Sequence, residues 1–177
     1  MGVPKALLRD EGGTPFVLRA ISVLRVGGCD HVLVVVGAEA EQVSALLEGA
    51  AEGVSVVVAE HWDEGMSASL RAGLSRALDT DASSALVTLV DLPDVDADVV
   101  QRMLHALGSG SEVLGRASYD GLPGHPVLIG RDHWVDVIAS AHGDSGARSY
   151  LEAHPPTPVE CGDLATGHDV DTPEQLS

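Results

Sequence analysis

Three short apolar runs restrict the fold of this chain more than any other feature. They are His31–Gly37 (HVLVVVG), Val54–Ala59 (VSVVVA) and Ala85–Val90 (ALVTLV). Each run is rich in β-branched residues and nearly continuous, whereas a strand with one solvent-facing side alternates apolar and polar residues. The runs therefore predict strands that are buried on both faces of a parallel sheet.

Helical patterns surround these runs. The predicted helices are Phe16–Arg25, Ala38–Glu48, Ser67–Leu78 and Val95–Leu107. Strand, helix and strand at this spacing imply right-handed crossovers. We therefore predict the α/β class, with a doubly wound, mostly parallel sheet.

The second half of the chain has a different pattern of predicted elements. Strands are predicted over Glu112–Ala117 and Pro126–Ile129, with the turn-rich segment Ser118–Gly124 between them. This arrangement predicts a small antiparallel insertion at the edge of the sheet. A further helix is predicted from about Gly146 to Ala153, after Asp144 or Ser145 as its cap, and a last short strand near Val159.

Length and charge limit the class of protein. A chain of 177 residues without a linker or repeat is predicted to form a single domain, 1–177. Its net charge of −17 opposes binding to nucleic acid and to anionic membranes, so neither is expected as a partner. With no export signal and only Cys29 and Cys161, the chain is expected to be a reduced, cytoplasmic protein.

Ligands of open α/β sheets bind beyond the carboxyl ends of the strands, and Asp91 stands at such an end. Pro93 turns the chain away from the sheet, which leaves the Asp91 carboxylate at its mouth. There it is suited to hold Mg²⁺ beside a nucleotide phosphate. The alternative is that Asp91 only caps the next helix, and the spacing does not separate the two.

Other polar positions also have two interpretations. Asp171, in the segment HDVDTPEQL, is either a helix cap or a second carboxylate for the metal at Asp91. Ser67 and Ser69 follow Gly65 at a helix start, so they bind a base or phosphate, or one of them is a plain N-cap. Lys5 binds a phosphate as a point charge, or is merely solvated.

His125 lies between a glycine and a proline, in GHPV. It either contacts a substrate or is a surface or packing residue. The histidines form no HxH or HExxH pattern, so no zinc site is expected.

The order of these motifs resembles one family. PKALL, VVVG, WDEGMSASLRAGL, VDLPD, GHPVLI, GDSGARSYL and DVDTPEQL follow one another from the start of the chain to Leu176. This order is similar to that of the MobA-like nucleotidyltransferases, and most similar to the molybdenum cofactor cytidylyltransferases. The resemblance implies a Rossmann-like fold and transfer of CMP from CTP to the terminal phosphate of molybdopterin cofactor, with Mg²⁺ as cofactor and release of pyrophosphate.

The resemblance also implies roles for particular residues. Lys5 and Asp91 match the catalytic pair, and Asp91 with Asp171 matches the metal ligands. The residues that match nucleotide-binding positions are Gly2, Lys5, Gly37, Gly65, Ser67 and Ser69. The residues that match the half of the site that meets the pterin substrate are Gly124, His125, Pro126 and Asp144.

The start of the chain departs from the family pattern. Met1 to Lys5 match only the tail of a motif that the family places after a first strand and a glycine-rich loop. We therefore expect the first strand and most of the phosphate loop to be absent from this sequence, either because the chain starts at an internal methionine or because upstream residues are missing. Without them, activity is expected to be severely weakened, since such a loop cradles the triphosphate through backbone N–H groups.

Several alternatives stay open at this point. The nucleotide is CTP or GTP, and the acceptor is molybdopterin cofactor or another phosphorylated compound such as phospholactate or a sugar phosphate. A different class is a non-catalytic carrier that binds molybdopterin cofactor and delivers it to a molybdoenzyme or its chaperone. The simplest alternative is an α/β domain whose acids are only helix caps.

Overall fold

The computed structural model describes residues 5–10, 12–38, 40–48 and 53–169. The helices are α1 (Phe16–Gly27), α2 (Ala40–Leu47), α3 (Met66–Leu78), α4 (Ala97–Leu107), α5 (Trp134–Ser140) and α6 (Arg148–Ala153). The strands are β1 (Val32–Val36), β2 (Val54–Val58), β3 (Ser84–Val87), β4 (Leu114–Tyr119), β5 (Leu122–Gly130) and β6 (Thr157–Glu160). The predicted α/β class is confirmed, because a parallel ladder and an antiparallel component occur together.

The strands form two sheets within the described residues. In the first, β1 pairs in parallel with β2, from Val32 opposite Val54 onward. In the second, the order is β3-β5-β4-β6, in which β5 is antiparallel to both neighbours and β4 is parallel to β6. The antiparallel part is therefore larger than an edge insertion, since β5 covers one side of β3.

Burial of the apolar runs differs from the prediction. β1 is buried at both ends and half-buried between them, whereas β2 is largely exposed. Val56 and Val58 are 38% and 55% exposed, because β2 pairs only with β1 in the described part of the chain. The prediction that all three runs are buried on both faces is wrong for β2.

The β4–β5 hairpin turns on Asp120 and Gly121. Both residues have positive φ angles, 52° and 78°, as a two-residue type I′ turn requires. An Asp-Gly pair favours this turn, and Tyr119 lies opposite Leu122. The segment predicted as a loop, Ser118–Gly124, is therefore mostly strand.

Two apolar clusters cover the faces of the four-stranded sheet. One lies under α4 and includes Val99, Met103 and Leu128. The other lies under α3, α5 and α6 and includes Leu74, Trp134 and the Val127 and Ile129 positions of β5. The sheet is thus covered on both sides, and the polar residues near its strand ends lie between these layers.

The predicted helix near residues 146–153 is present as α6, but its predicted cap is wrong, and one earlier helix was missed. Helix α5 was not predicted; the fully buried Trp134 anchors it, and its Nε1 donates to the Ile129 carbonyl over 2.9 Å. Helix α6 begins after Ala147, without a side-chain cap. Asp144 and Ser145 instead lie in a short 3-10 turn before it.

Candidate functional site

The closest charged contact at the sheet end joins Lys5 and Asp91. Asp91 follows β3, is 7% exposed, and its Oδ2 accepts a hydrogen bond from Lys5 Nζ over 2.6 Å. Helix α4 takes its N-cap from Asp96, whose Oδ1 accepts from the Asp98 amide. The alternative in which Asp91 caps that helix is therefore wrong.

Lys5 and Asp91 are 86 positions apart in the chain, so only the fold brings them together. Burying a carboxylate costs free energy unless it is paired. Lys5 keeps more than a third of its side chain exposed. The pair thus places a partly exposed cationic side chain beside a shielded carboxylate, and these are the kinds of group that bind a phosphate and a metal ion.

His125 lies within electrostatic reach of Asp91 and Arg116. Burial and the nearby Arg116 guanidinium lower the pKa of His125 to about 4, although the Asp91 carboxylate opposes this shift. Its ring is therefore neutral at pH 7, and it is available as a hydrogen-bonding group rather than as a cation. Tyr119 Oη donates to the His125 carbonyl over 2.6 Å and holds the backbone in place.

Arg116 supports the same segment from β4. Its Nε donates to the Gly124 carbonyl over 2.8 Å. Gly124 packs against Tyr119, since a Cβ there would lie 2.6 Å from Tyr119 Cε2, and Pro126 is fully buried. The predicted GHP residues thus form a rigid wall beside Asp91. We call Lys5, Asp91, Arg116 and His125 the charged cluster.

A second set of predicted residues meets on the other side of the site. Ser67 is fully buried, and its Oγ accepts from the Gly146 amide over 3.0 Å. Asp144 Oδ1 accepts from the Met66 amide over 3.4 Å and contacts Gly65. We call Gly65, Ser67, Asp144 and Gly146 the loop clasp, because it joins the start of α3 to the turn before α6.

The clasp explains why Gly65 is a glycine. Its φ and ψ are 107° and −174°, a region that is essentially restricted to glycine. A Cβ would also lie 2.4 Å from Asp144 Oδ1. Gly65 itself precedes α3 without a side-chain cap, so the alternative in which a serine caps this helix is wrong.

Gly37 and Ser69 occupy the remaining predicted positions in the described residues. A Cβ at Gly37 would lie 2.5 Å from Trp62 Cβ, so the glycine lets Trp62 pack against the end of β1. Trp62 itself is 48% exposed. Ser69 is half-buried in the first turns of α3. Gly2 and Asp171 lie outside the described residues.

The residues that sequence reasoning missed are Arg116 and Tyr119. Neither stands in a recognisable motif, because their roles depend on strand register. Arg116 lies opposite Val127, and Tyr119 directly precedes the turn that brings β5 back. The signal available in the sequence was an arginine within a predicted strand of a strongly acidic chain.

A metal site depends on which side chains can donate to the ion. Among the described residues, no group of three or more His, Cys, Asp or Glu side chains is arranged to hold a metal ion. Mg²⁺ nevertheless binds commonly through one or two carboxylates together with substrate phosphates. Asp91 fits such a shared site.

These features define an α/β protein with a lysine–carboxylate pair beyond a strand end, and comparison assigns its family. The chain belongs to the family of the MobA-like NTP transferase domain, whose sequence model matches residues 1–158. It is therefore a member of a nucleotidyltransferase family with a Rossmann-like fold.

Particular relatives share most of its length. Nicotine blue oxidoreductase of Paenarthrobacter nicotinovorans is 36% identical over 182 residues, which cover 98% of this chain and 86% of that protein. The crystal structure of Rv0371c from Mycobacterium tuberculosis H37Rv is 29% identical, with a TM-score of 0.78, and covers 99% and 89% of the two chains. The manganese complex of Rv0371c is 28% identical, with a TM-score of 0.76 and coverage of 99% and 92%.

Proposed function

We propose that this protein is a Mg²⁺-dependent cytidylyltransferase that transfers CMP from CTP to the terminal phosphate of molybdopterin cofactor. The observation that carries the proposal is the Lys5–Asp91 pair at the end of β3. It places a cation and a shielded carboxylate beyond the end of a strand, where ligands of open α/β sheets bind.

The reaction needs little covalent chemistry from the protein. An oxygen of the acceptor phosphate attacks the α-phosphorus of CTP, a new P–O bond forms, and the bond from the α-phosphorus to the bridging oxygen breaks. Pyrophosphate leaves with that oxygen. Positioning and neutralisation of the charge on the phosphates dominate such transfers. In this proposal Lys5 binds the triphosphate and so neutralises part of that charge.

Binding of Mg²⁺ is part of the proposal. Asp91 would hold Mg²⁺, with Asp171 as the second carboxylate, and the ion would supply charge neutralisation on the phosphates. The manganese complex of Rv0371c supports a divalent ion in a relative. Asp171 lies outside the described residues, so its part stays a prediction.

The remaining predicted residues have different degrees of support. Ser69 is half-buried in the first turns of α3, and Gly37 and Gly65 follow strand ends but pack against Trp62 and Asp144, so contacts of these three residues with the nucleotide stay predictions. Ser67 is fully buried, so we assign it to positioning the nucleotide loop rather than to contact. Gly124 and His125, with Asp144, stay the proposed surface for the pterin, and the fully buried Pro126 is assigned to positioning this segment.

The domain organisation stays a prediction. Within the described residues, β1 pairs only with β2, and β3 pairs only with β5.

The nucleotide and the acceptor are the less constrained parts of this proposal. GTP, or a different phosphorylated acceptor, would use the same charged cluster. A carrier for molybdopterin cofactor would bind without turnover and deliver it to a molybdoenzyme or its chaperone. A cytoplasmic location is proposed on the sequence; in the described residues no helix is long and apolar enough to cross a membrane.

A second candidate is an oxidoreductase, because the P. nicotinovorans relative bears such a name at 36% identity. The sequence contains no G-x-G-x-x-G motif of the dinucleotide-binding type. This candidate therefore rests on the relative alone. Oxidation of NADH or NADPH in the presence of nicotine blue would support it.

Pyrophosphate release tests the proposal directly. The protein is incubated with Mg²⁺, molybdenum cofactor and either CTP or GTP, in parallel with an Asp91→Asn variant. Release with CTP that is lost in the variant is expected. Pyrophosphate release with GTP alone would identify GTP as the nucleotide substrate. Tight binding of molybdenum cofactor by a folded protein, without pyrophosphate release, would favour the carrier. Pyridine nucleotide oxidation without pyrophosphate release would favour the oxidoreductase.

A further inference from the structure

Trp62 is the one aromatic side chain of this protein that is exposed to solvent. The five residues of the types Phe, Trp and Tyr all lie in the described part of the chain. Trp62 is 48% exposed, and the other four are buried: Phe16, Tyr119, Trp134 and Tyr150. An indole left in water forgoes the free energy that burial would provide, so its position suggests a role other than core packing.

The fold places Trp62 beyond the carboxyl ends of two parallel strands. β1 and β2 end together, with Val36 opposite Val58. The Ala59 amide donates to the Val36 carbonyl over 2.8 Å, and the Trp62 amide donates to the Ala59 carbonyl over 3.2 Å. Ligands of open α/β sheets bind beyond this edge. Trp62 therefore lies on the side of the sheet where a substrate is expected.

The indole is supported at its base. A Cβ at Gly37 would lie 2.5 Å from Trp62 Cβ and 2.8 Å from Trp62 Cγ, so the end of β1 packs against the root of the ring. The Gly65 amide donates to the Trp62 carbonyl over 3.1 Å, and Glu64 of the same turn pairs with Arg71 of α3 over 2.6 Å. The turn that carries the indole is thus fixed on both sides.

The rest of the indole is uncovered. Among the described residues, the ring–ring contacts and the guanidinium over a ring involve other aromatic side chains. A fixed backbone that carries an uncovered flat ring is preorganised for a flat ligand, because little conformational freedom is lost on binding.

We propose that Trp62 stacks on the nucleobase of the nucleoside triphosphate. This inference rests on the proposed function and adds to it a residue that binds the base. Gly37 and Gly65, which contact Trp62 on either side, are two of the predicted nucleotide-binding positions. Every base has a π-face, so an aromatic side chain stacks on all of them. Trp62 therefore strengthens binding of the nucleotide without choosing between CTP and GTP.

Two other occupants would cover the same indole. The pterin of the proposed acceptor is also a flat ring. A second copy of the chain could bury an apolar surface here, because Val58 and Met66 are 55% and 49% exposed. The three occupants differ in what they require: the base needs nucleotide, the pterin needs the cofactor, and the second copy needs only a higher protein concentration.

Tryptophan fluorescence tests this assignment without turnover. The other tryptophan, Trp134, is fully buried, so acrylamide quenches mainly Trp62. The full chain with Mg²⁺ is titrated separately with CTP, GTP, inorganic tripolyphosphate and molybdenum cofactor, and the accessibility of Trp62 to acrylamide is measured. This measurement on the wild type needs no variant, so it tests the assignment even if a substitution prevents folding.

Calorimetric titration of variants measures the contribution of the ring to affinity. Trp62→Leu removes the aromatic face but keeps an apolar side chain, and Trp62→Phe keeps a smaller aromatic face. Val26→Ala is the matched control, because Val26 is an exposed apolar residue at the end of α1, which leads into the amino end of β1. It therefore lies at the opposite edge of the sheet.

CTP is expected to shield Trp62 from acrylamide, and tripolyphosphate is expected to leave it accessible. Loss of one base-stacking contact raises Kd by roughly tenfold. We expect that rise in the CTP Kd for Trp62→Leu, a smaller rise for Trp62→Phe and no change for Val26→Ala. The tripolyphosphate Kd is expected to be the same in all four proteins.

An unchanged CTP Kd in Trp62→Leu overturns the assignment, as does equal shielding by tripolyphosphate or no shielding by either nucleotide. Shielding by molybdenum cofactor alone, or shielding that rises with protein concentration, also overturns it, in favour of the pterin or of a second copy. Shielding by GTP but not by CTP supports the stacking role and contradicts the proposed nucleotide. Shielding by CTP without pyrophosphate release in the presence of molybdenum cofactor supports the stacking role and contradicts the proposed transfer.

Discussion

The charged cluster and the loop clasp are the two groups of predicted site residues that the fold assembles, and they are held together differently. In the cluster, Lys5 and Asp91 pair with each other while more than a third of the Lys5 side chain is exposed, and in the described part of the chain Arg116 donates to the Gly124 carbonyl alone. In the clasp, Ser67 and the Gly146 amide satisfy each other inside the protein. A group that is already satisfied gains little from a ligand, so the cluster is suited to binding and the clasp to positioning.

The largest expected effect is a loss of activity when the charge of Asp91, in the charged cluster, is removed. Asp91→Asn keeps the shape of the side chain but removes its charge. We expect pyrophosphate release to fall on the order of a hundredfold or more, because one group that organises charge in the transition state is lost. Asp98→Asn, an exposed acid on α4, is the control. Equal activity of the two variants would remove Asp91 from the mechanism.

Gly65→Ala disrupts the loop clasp because it changes the backbone conformation that residue 65 can adopt. The variant must adopt a conformation that only glycine tolerates and must displace the Asp144 carboxylate, so we expect a loss of roughly 2–4 kcal/mol in the free energy of unfolding. Urea denaturation measures it. Gly110→Ala, where a Cβ meets open space, is expected to change little. Similar stability of both variants would show that the Gly65 conformation is not required.

Ser67→Ala removes one hydrogen bond from the clasp. It leaves the buried Gly146 amide without its acceptor, which costs about 1–3 kcal/mol in the free energy of unfolding. The nucleotide Kd at a temperature well below the melting midpoint is expected to change less than in Asp91→Asn. Ser149→Ala, on the exposed side of α6, is the control. Loss of nucleotide binding without loss of stability would instead mean that Ser67 contacts the nucleotide.

The smallest effect concerns His125 and depends on pH. Its pKa is lowered from the ordinary value of 6.5 to about 4. Between these values the unfolded chain binds the proton more readily than the folded one, so the stability that His125 contributes is complete above pH 6.5 and is lost as pH falls toward 4. His125→Gln is expected to flatten the decline in unfolding free energy over this range. The exposed His105→Gln is expected to keep it.

Much of the fold follows from local patterns. The three apolar runs are strands, and α1 to α4 fall within two residues of their predicted bounds, because β-branched runs and helical periodicity act over a few residues. Helix α5 escaped prediction, since its stability comes from burying Trp134 against β5 rather than from a cap or a clear amphipathic pattern. The pairing of β3 with β5 likewise depends on contacts between distant segments.

The candidate site, like the fold, was predictable from the sequence only in part. The sequence by itself determined which motifs carry polar chemistry at strand ends, and the family to which they belong. Only the tertiary structure decided that Asp91 pairs with Lys5 instead of capping a helix, that Ser67 faces Gly146, and that Arg116 joins the cluster. The reason is physical: a side chain's role depends on its partners, and residues up to 86 positions apart become partners only when strands and loops pack.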